Sequence, residues 1–135
     1  MRALINPAGL HDPVGHGYSH LARVSGELVF VAGQWAADLD GRVTSSDFAD
    51  QVRRSLANLG TALAAVGLDF GDVVQLRSYI VDHDLAKLTV LAEAVADIWG
   101  DLPPTQTLLG VAALALPDMR FEIDAIAVGR PPDIP

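Results

Sequence analysis

The chain has 135 residues, a length that fits one domain able to bury a proper core. Half of it is hydrophobic but only 6% is aromatic, so alanine, leucine and valine must form much of that core. Acidic residues outnumber basic ones 17 to 9, which opposes nucleic-acid binding because displacing counterions needs cations, and the lack of cysteine excludes disulfides and thiolate chemistry.

Residues 1–20 are rich in Gly, Pro and His and show no periodicity, so they read as a loop lying across the body. They hold no apolar stretch long enough for a signal peptide. The longest apolar run, LLGVAALAL at 108–116, is far short of a membrane span. A cytoplasmic chain with no membrane partner is expected. LARVSG and ELVFVAG are two β-like runs meeting at Gly26, the pattern of a hairpin. DLDGR at 38–42 signals a turn.

Phe48, Val52, Leu56, Leu59, Leu63 and Val66 then recur at helical spacing, with Ser45 or Ser46 as N-cap and Gly67 as terminator. Gly60 lies inside that helix and should cost about 1 kcal/mol relative to alanine. VVQLRSYIVD at 73–82 reads as a strand. A second helix follows, with Leu85, Leu88, Ala92, Val95 and Trp99 on one face and Gly100 at its end. After Pro103 and Pro104 come strands over 106–114 and 120–128, and GRPPDIP forms a solvated tail.

The predicted order is β-β-α-β-α-β-β, a single α+β domain over 1–135 with both helices on one face of the sheet. In the last strand Phe121, Ile123 and Ala125 point one way and Arg120, Glu122, Asp124 and Ile126 the other. That second face is neither plainly polar nor plainly apolar. Such a surface suits a subunit interface and predicts a homo-oligomer.

GHGYSH at 15–20 lacks the third glycine and the preceding strand of a phosphate loop. His16 and His20 have no carboxylate or third histidine at a metal-binding spacing, so they read as surface histidines and no metal is expected. Trp35 and Trp99 read as packing residues, and Arg53 and Arg54 as a solvated helix surface. Glu122 and Asp124 share a strand face with α-carbons about 6.5–7 Å apart. At that range one carboxylate raises the other's pKa and makes it a candidate general acid or base. The alternative is a structural cluster neutralised by Arg120.

Three segments together carry a resemblance: GYSHLARVSGELVFVAGQ, SLANLGTALAAVGLDFGDVVQLRSYIVD and VAALALPDMRFEIDAIAV. Over residues 17 to 129 the chain resembles the YjgF/RidA family of reactive-intermediate deaminases, also described as endoribonuclease L-PSP-like. The resemblance implies a chorismate-mutase-like α+β fold, a mixed β-sheet with two long helices on one face. It also implies a homotrimer with small-molecule clefts between subunits and no cofactor. Deaminase members hydrolyse 2-imino or 2-enamino acids to 2-oxo acids and ammonia, and some members have been described as ribonucleases.

Carried over by position, the cleft tyrosine matches Tyr18, and the glycine of the SGQ motif matches Gly33, with Ala32 where the family has serine. The glutamate that positions water matches Glu122, which makes it the candidate catalytic residue. An asparagine on the second helix matches Thr89. The family's P-x-R-[ST] step matches Pro104-Thr105-Gln106-Thr107, so the arginine that grips the substrate carboxylate is Gln106. A guanidinium holds a carboxylate through two charged hydrogen bonds, worth about 1.5–3 kcal/mol each, and glutamine offers no charge. A carboxylate ligand should bind roughly tenfold to several hundredfold more weakly.

Two functions follow from this. One is an enzyme in which Glu122 works on an imine, enamine or carbonyl compound other than the usual 2-imino acids, with Tyr18, Ala32, Gly33, Thr89 and Gln106 lining the cleft. The other is a non-catalytic binding or regulatory trimer. A ribonuclease is disfavoured by the charge of −8. Arg120 or Arg77 stands as a possible replacement cation from a neighbouring subunit.

Overall fold

A computed structural model describes residues 2–130 of the chain. The predicted solvated tail starts one residue too early, because Gly129 is buried as the last residue of the final strand, paired with Glu27, and the tail's last five residues lie outside the described ones. Eight elements follow in order: β1 (Arg2–Ile5), β2 (Leu21–Val24), β3 (Glu27–Gln34), α1 (Phe48–Ala64), β4 (Val73–Val81), α2 (Leu85–Trp99), β5 (Thr105–Val111) and β6 (Phe121–Gly129). The strands β3, β6, β4 and β5 form one mixed sheet in that order. β6 is antiparallel to both neighbours, and β4 runs parallel to β5 across the α2 connection. The fold is α+β, with both helices packed on one face of the sheet, as predicted.

Helix α1 starts where Asp47 accepts a hydrogen bond from the Asp50 backbone, and α2 starts where Asp84 accepts one from Lys87. Each cap satisfies a backbone donor that the first turn leaves unpaired. The predicted cap, Ser45 or Ser46, lies one to two residues too early, because Ser45 instead bonds the Asp47 backbone and Asp50. Val52, Leu56, Leu59 and Leu63 of α1 and Leu91, Val95 and Trp99 of α2 are buried against Leu76, Ile80, Phe121, Ile123 and Ala125 of the sheet. Burying each of the larger side chains contributes about 1.5–3 kcal/mol. Val66 and Leu85, placed on these stripes by spacing, are 56% and 79% exposed because they sit beyond or at the helix ends, where no sheet residue covers them.

The hairpin expected around Gly26 is not formed. β2 pairs with β1, from within the predicted N-terminal loop, while β3 pairs with β6. Gly26 has φ of 132°, and a Cβ there would fall 2.7 Å from Val128 Cγ1, so the chain passes tightly against the end of β6 before entering β3. The open face of the sheet carries Leu28 and Phe30 of β3 and Leu109 of β5, all substantially exposed. Among the described residues, no helix is long and apolar enough to cross a membrane.

Candidate functional site

Strand parity decides which candidate side chains meet. β4 and β6 pair so that Tyr79 stands opposite Glu122 and Arg77 opposite Asp124. Their neighbours Ser78, Ile80, Phe121 and Ile123 are buried under the helices, so Arg77, Tyr79, Glu122 and Asp124 all emerge on the open face. This puts two carboxylates, a phenol and a guanidinium side by side.

Asp124 is held at both oxygens. Arg77 Nε donates to Oδ1 at 3.0 Å, and the Tyr79 hydroxyl donates to Oδ2 at 2.8 Å. Sequence reasoning assigned the neutralising cation to Arg120, and the structure corrects this to Arg77. Arg120 stands just before β6, where its backbone N–H donates to Gln51 Oε1 and its carbonyl accepts from Val81. The ion pair comes instead from the strand directly opposite Asp124, where register fixes the distance. Burial first and the hydrogen bond to Asp124 second push the Tyr79 hydroxyl above its usual range.

Glu122 is treated differently from Asp124. Among the described residues no group donates a hydrogen bond to its carboxylate, which is half-buried beside the bulge of β3. The β3 register shifts between Val31 and Gln34, and Gly33 lies there against Glu122. A Cβ at Gly33 would come within 2.7 Å of the Glu122 carboxyl carbon. Only a residue without a side chain lets Glu122 lie across the bulge. Burial, and then the charge of Asp124, hold the Glu122 carboxyl above the usual carboxylate range. Ala32, beside Gly33, is exposed and accepts a hydrogen bond from Gln34 through its carbonyl.

Tyr18 and Gln106 belong to another part of the surface. Gln106 pairs with buried Leu76, so its side chain emerges on the helix side of the sheet, opposite to Glu122. Its amide is tied at both ends: Oε1 accepts from Ser78 Oγ at 2.6 Å, and Nε2 donates to the Gly17 carbonyl at 2.9 Å. Thr107, the next residue, faces the same side as Arg77. Tyr18 and Gln106 share a depression of about 480 Å³ with His11, His16, Leu88 and Leu108. The Tyr18 hydroxyl lies 2.6 Å from His11 Nε2. Thr89 is exposed on α2, its hydroxyl turned back to the Leu85 carbonyl.

Within one protomer, then, Glu122 and Gly33 come together, Tyr18 and Gln106 come together, and Thr89 joins neither pair. The Arg77–Asp124–Tyr79 network was missed from the sequence. Its signal was present in the alternation of β4, where Arg77 and Tyr79 share the face opposite to Leu76 and Ile80, but the register against β6 was needed to pair them. Among the described residues no cluster of three or more His, Asp or Glu side chains has the arrangement of a metal site.

Comparison with known proteins agrees with the fold. The family model described as Endoribonuclease L-PSP matches residues 10–129. The RutC family protein YjgH of Escherichia coli strain K12 is 37% identical over 128 residues, covering 93% of this chain and 94% of its own. The putative reactive intermediate deaminase TdcF of the same organism is 33% identical over 104 residues, covering 76% and 80%. Among solved structures, the Rid-family protein YyfB from Yersinia pestis matches with a TM-score of 0.89 at 36% identity, over 94% of this chain and 98% of its own. Escherichia coli TdcF, solved with bound serine, matches with a TM-score of 0.66 at 33% identity over 77% and 82%.

Proposed function

Because the chain belongs to the endoribonuclease L-PSP (YjgF/RidA) family, which has relatives named as reactive-intermediate deaminases, we propose that it is a deaminase-like hydrolase using Glu122 as its acid–base group. Its substrate is an imine, enamine or carbonyl metabolite other than the usual 2-imino acids. The observation that carries this reading is the seat of Glu122 on Gly33: a half-buried carboxyl with no donor among the described residues, held above the usual carboxylate range by burial and Asp124. A carboxyl pushed upward in this way holds its proton more tightly than a free one, which suits general acid–base work.

For an imine the chemistry balances without a cofactor. Glu122 gives its proton to the imine nitrogen, and the resulting carboxylate takes one from water as the water oxygen bonds to carbon. Glu122 then returns that proton to nitrogen, the C–N bond breaks, ammonia leaves, and the hydroxyl proton of the new carbonyl restores the acid. The net reaction is imine plus water to carbonyl plus ammonia.

The working form is a homotrimer with clefts over the open sheet face. Exposed Leu28 and Phe30 at one edge of that face and Leu109 at the other support this, since apolar side chains left open on one sheet face favour a covering partner. In such an assembly Tyr18 and Gln106 of one subunit are brought toward Glu122 of the next. The preference against 2-imino acids rests on Gln106, which carries no charge and is tied to Ser78 and Gly17.

The test generates imines in situ from an amino-acid oxidase and follows their loss with the wild type, Gln106→Arg and Glu122→Gln. The wild type should be slow on 2-imino acids, while uncharged imines should be consumed in a Glu122-dependent manner. Turnover of 2-imino acids at the rate of the Escherichia coli 2-iminobutanoate/2-iminopropanoate deaminase would sink the proposed specificity. Ligand binding with no turnover of any imine would favour the second reading, a non-catalytic binding protein.

A further inference from the structure

We infer that Asp124 is a positioning residue for Glu122: clamped at both oxygens by Arg77 and Tyr79, it stands as a fixed anion beside that carboxyl on the open sheet face. This deepens the acid–base reading of Glu122 given above and rests on it.

The two acids are two residues apart on β6, on one face, yet their surroundings are opposite. Both oxygens of Asp124 are spent, one on the Arg77 guanidinium and one on the Tyr79 hydroxyl. Charge-assisted hydrogen bonds of this kind hold a carboxylate rigidly in place. Glu122 has no donor among the described residues and is pressed over Gly33. An anion fixed beside Glu122 opposes a second negative charge there, which adds to the burial that pushes the Glu122 carboxyl upward. The clamp on Asp124 is therefore built into the pairing of β4 with β6.

Within one subunit the groups facing Glu122 can be taken strand by strand. β6 contributes Asp124. β4 contributes Arg77 and Tyr79, both bonded to Asp124. β3 contributes the uncharged Gly33 backbone. Arg77 thus delivers its nearest nitrogen to Asp124. A cation bonded to Glu122 would have favoured its ionised form, whereas one bonded to Asp124 anchors the anion next door. Tyr79, directly opposite Glu122 in the register, turns its hydroxyl away to Asp124 and leaves Glu122 without its proton.

The experiment follows Glu122 itself. The chain has three glutamates, Glu27, Glu93 and Glu122, so side-chain carboxyl labelling with carbon-13 gives three NMR signals, and Glu122→Gln identifies the relevant one. The Glu122 titration midpoint is measured in the wild type, Asp124→Asn and Tyr79→Phe. Asn is nearly isosteric with Asp, and a cooperative thermal transition verifies folding for each variant. Asp124→Asn should lower the midpoint without abolishing its upward displacement, since burial remains. Tyr79→Phe, which frees one oxygen of Asp124, should move it the same way by less.

With an active imine substrate, the pH at which turnover falls on the alkaline side should drop in Asp124→Asn, a change that mere loss of stability would not produce. A midpoint that is unmoved or raised in Asp124→Asn overturns the inference. Undiminished turnover in Glu122→Gln would overturn the acid–base reading of Glu122 itself, and with it the role given to Asp124. A fixed midpoint together with an inactive Glu122→Gln removes only Asp124.

Discussion

Ser78 donates its hydroxyl hydrogen to Gln106 Oε1 at 2.6 Å from a site with no solvent exposure, and Gln106 Nε2 passes on to the Gly17 carbonyl. One glutamine thereby ties β4, β5 and the N-terminal loop together. Gly17, with φ of 86°, packs its backbone against Ala92 of α2, so the loop is pinned from two sides. Whatever Gln106 does for a ligand, it has this structural task as well.

Removing that tie has a measurable cost. Ser78→Ala leaves the Gln106 oxygen short of a donor in a half-buried place and should destabilise the chain by about 1–2 kcal/mol in urea unfolding. Gln106→Leu in the Ser78→Ala background should cost less than the two single changes summed, because the second change removes an already orphaned oxygen. Strict additivity would indicate that the two groups do not depend on each other.

Gly33 is expected to tolerate nothing larger. Gly33→Ala drives a methyl into the Glu122 carboxyl, so Glu122 must swing off the bulge. A displacement of about 1 Å at a catalytic group costs on the order of 100-fold in turnover. The prediction is a loss of about that size in imine turnover with the far-UV spectrum unchanged. Full activity in Gly33→Ala would mean that the contact with Glu122 is incidental.

How far the sequence could be read follows from which interactions are local. The stripe Val52, Leu56, Leu59 and Leu63 was legible because helical periodicity alone aligns these residues, and all four are buried. The alternation of Phe121, Ile123 and Ala125 with Glu122 and Asp124 was legible for the same reason. Arg120 was chosen as the partner of Asp124 because it is close in sequence, whereas Arg77 is 47 residues away and depends on strand register. The missing hairpin at Gly26 has a similar origin: β2 takes its partner from Arg2–Ile5, a run too short to stand out from its loop. The face taken by Gln106 likewise depends on its pairing with Leu76, which no local pattern contains.

Gly60 offers a test in which propensity and packing disagree. Alanine in a helix interior is favoured over glycine by about 1 kcal/mol. Here a Cβ would sit 2.8 Å from the Phe70 ring, which itself packs edge-on against Trp99 at 5.4 Å. Overpacking of this kind costs about 1–3 kcal/mol. Gly60→Ala should therefore lower the Tm, and a raised Tm would show that the Phe70 ring moves aside freely.

The proposed trimer can be tested on the open face. Phe30 is 72% exposed in the single chain and points to the same side as Glu122. Phe30→Asp would place a charge where a covering subunit must bury it, at a cost of several kcal/mol. Sedimentation should report a trimer for the wild type and a smaller species for Phe30→Asp. A wild-type monomer at micromolar concentration would remove the inter-subunit cleft from the functional reading.

The last prediction concerns stability and pH. Glu122 has its folded-state pKa raised, by burial first and by Asp124 second. A carboxyl raised on folding contributes stability that is fully present below its unfolded pKa and is lost as pH rises through the folded value, because the native state binds the extra proton. The window runs from the ordinary carboxylate range upward to the raised pKa of Glu122. Glu122→Gln removes the charge that burial opposes, so the variant should be more stable than the wild type above this window. The two should converge below it, where both side chains are neutral. Thermal unfolding of both proteins across acid to neutral pH measures the difference directly, and a gap that stays constant with pH would show that Glu122 does not titrate abnormally. A Glu122→Gln protein that gains stability while losing imine turnover would place Glu122 among residues kept for chemistry at the expense of the fold.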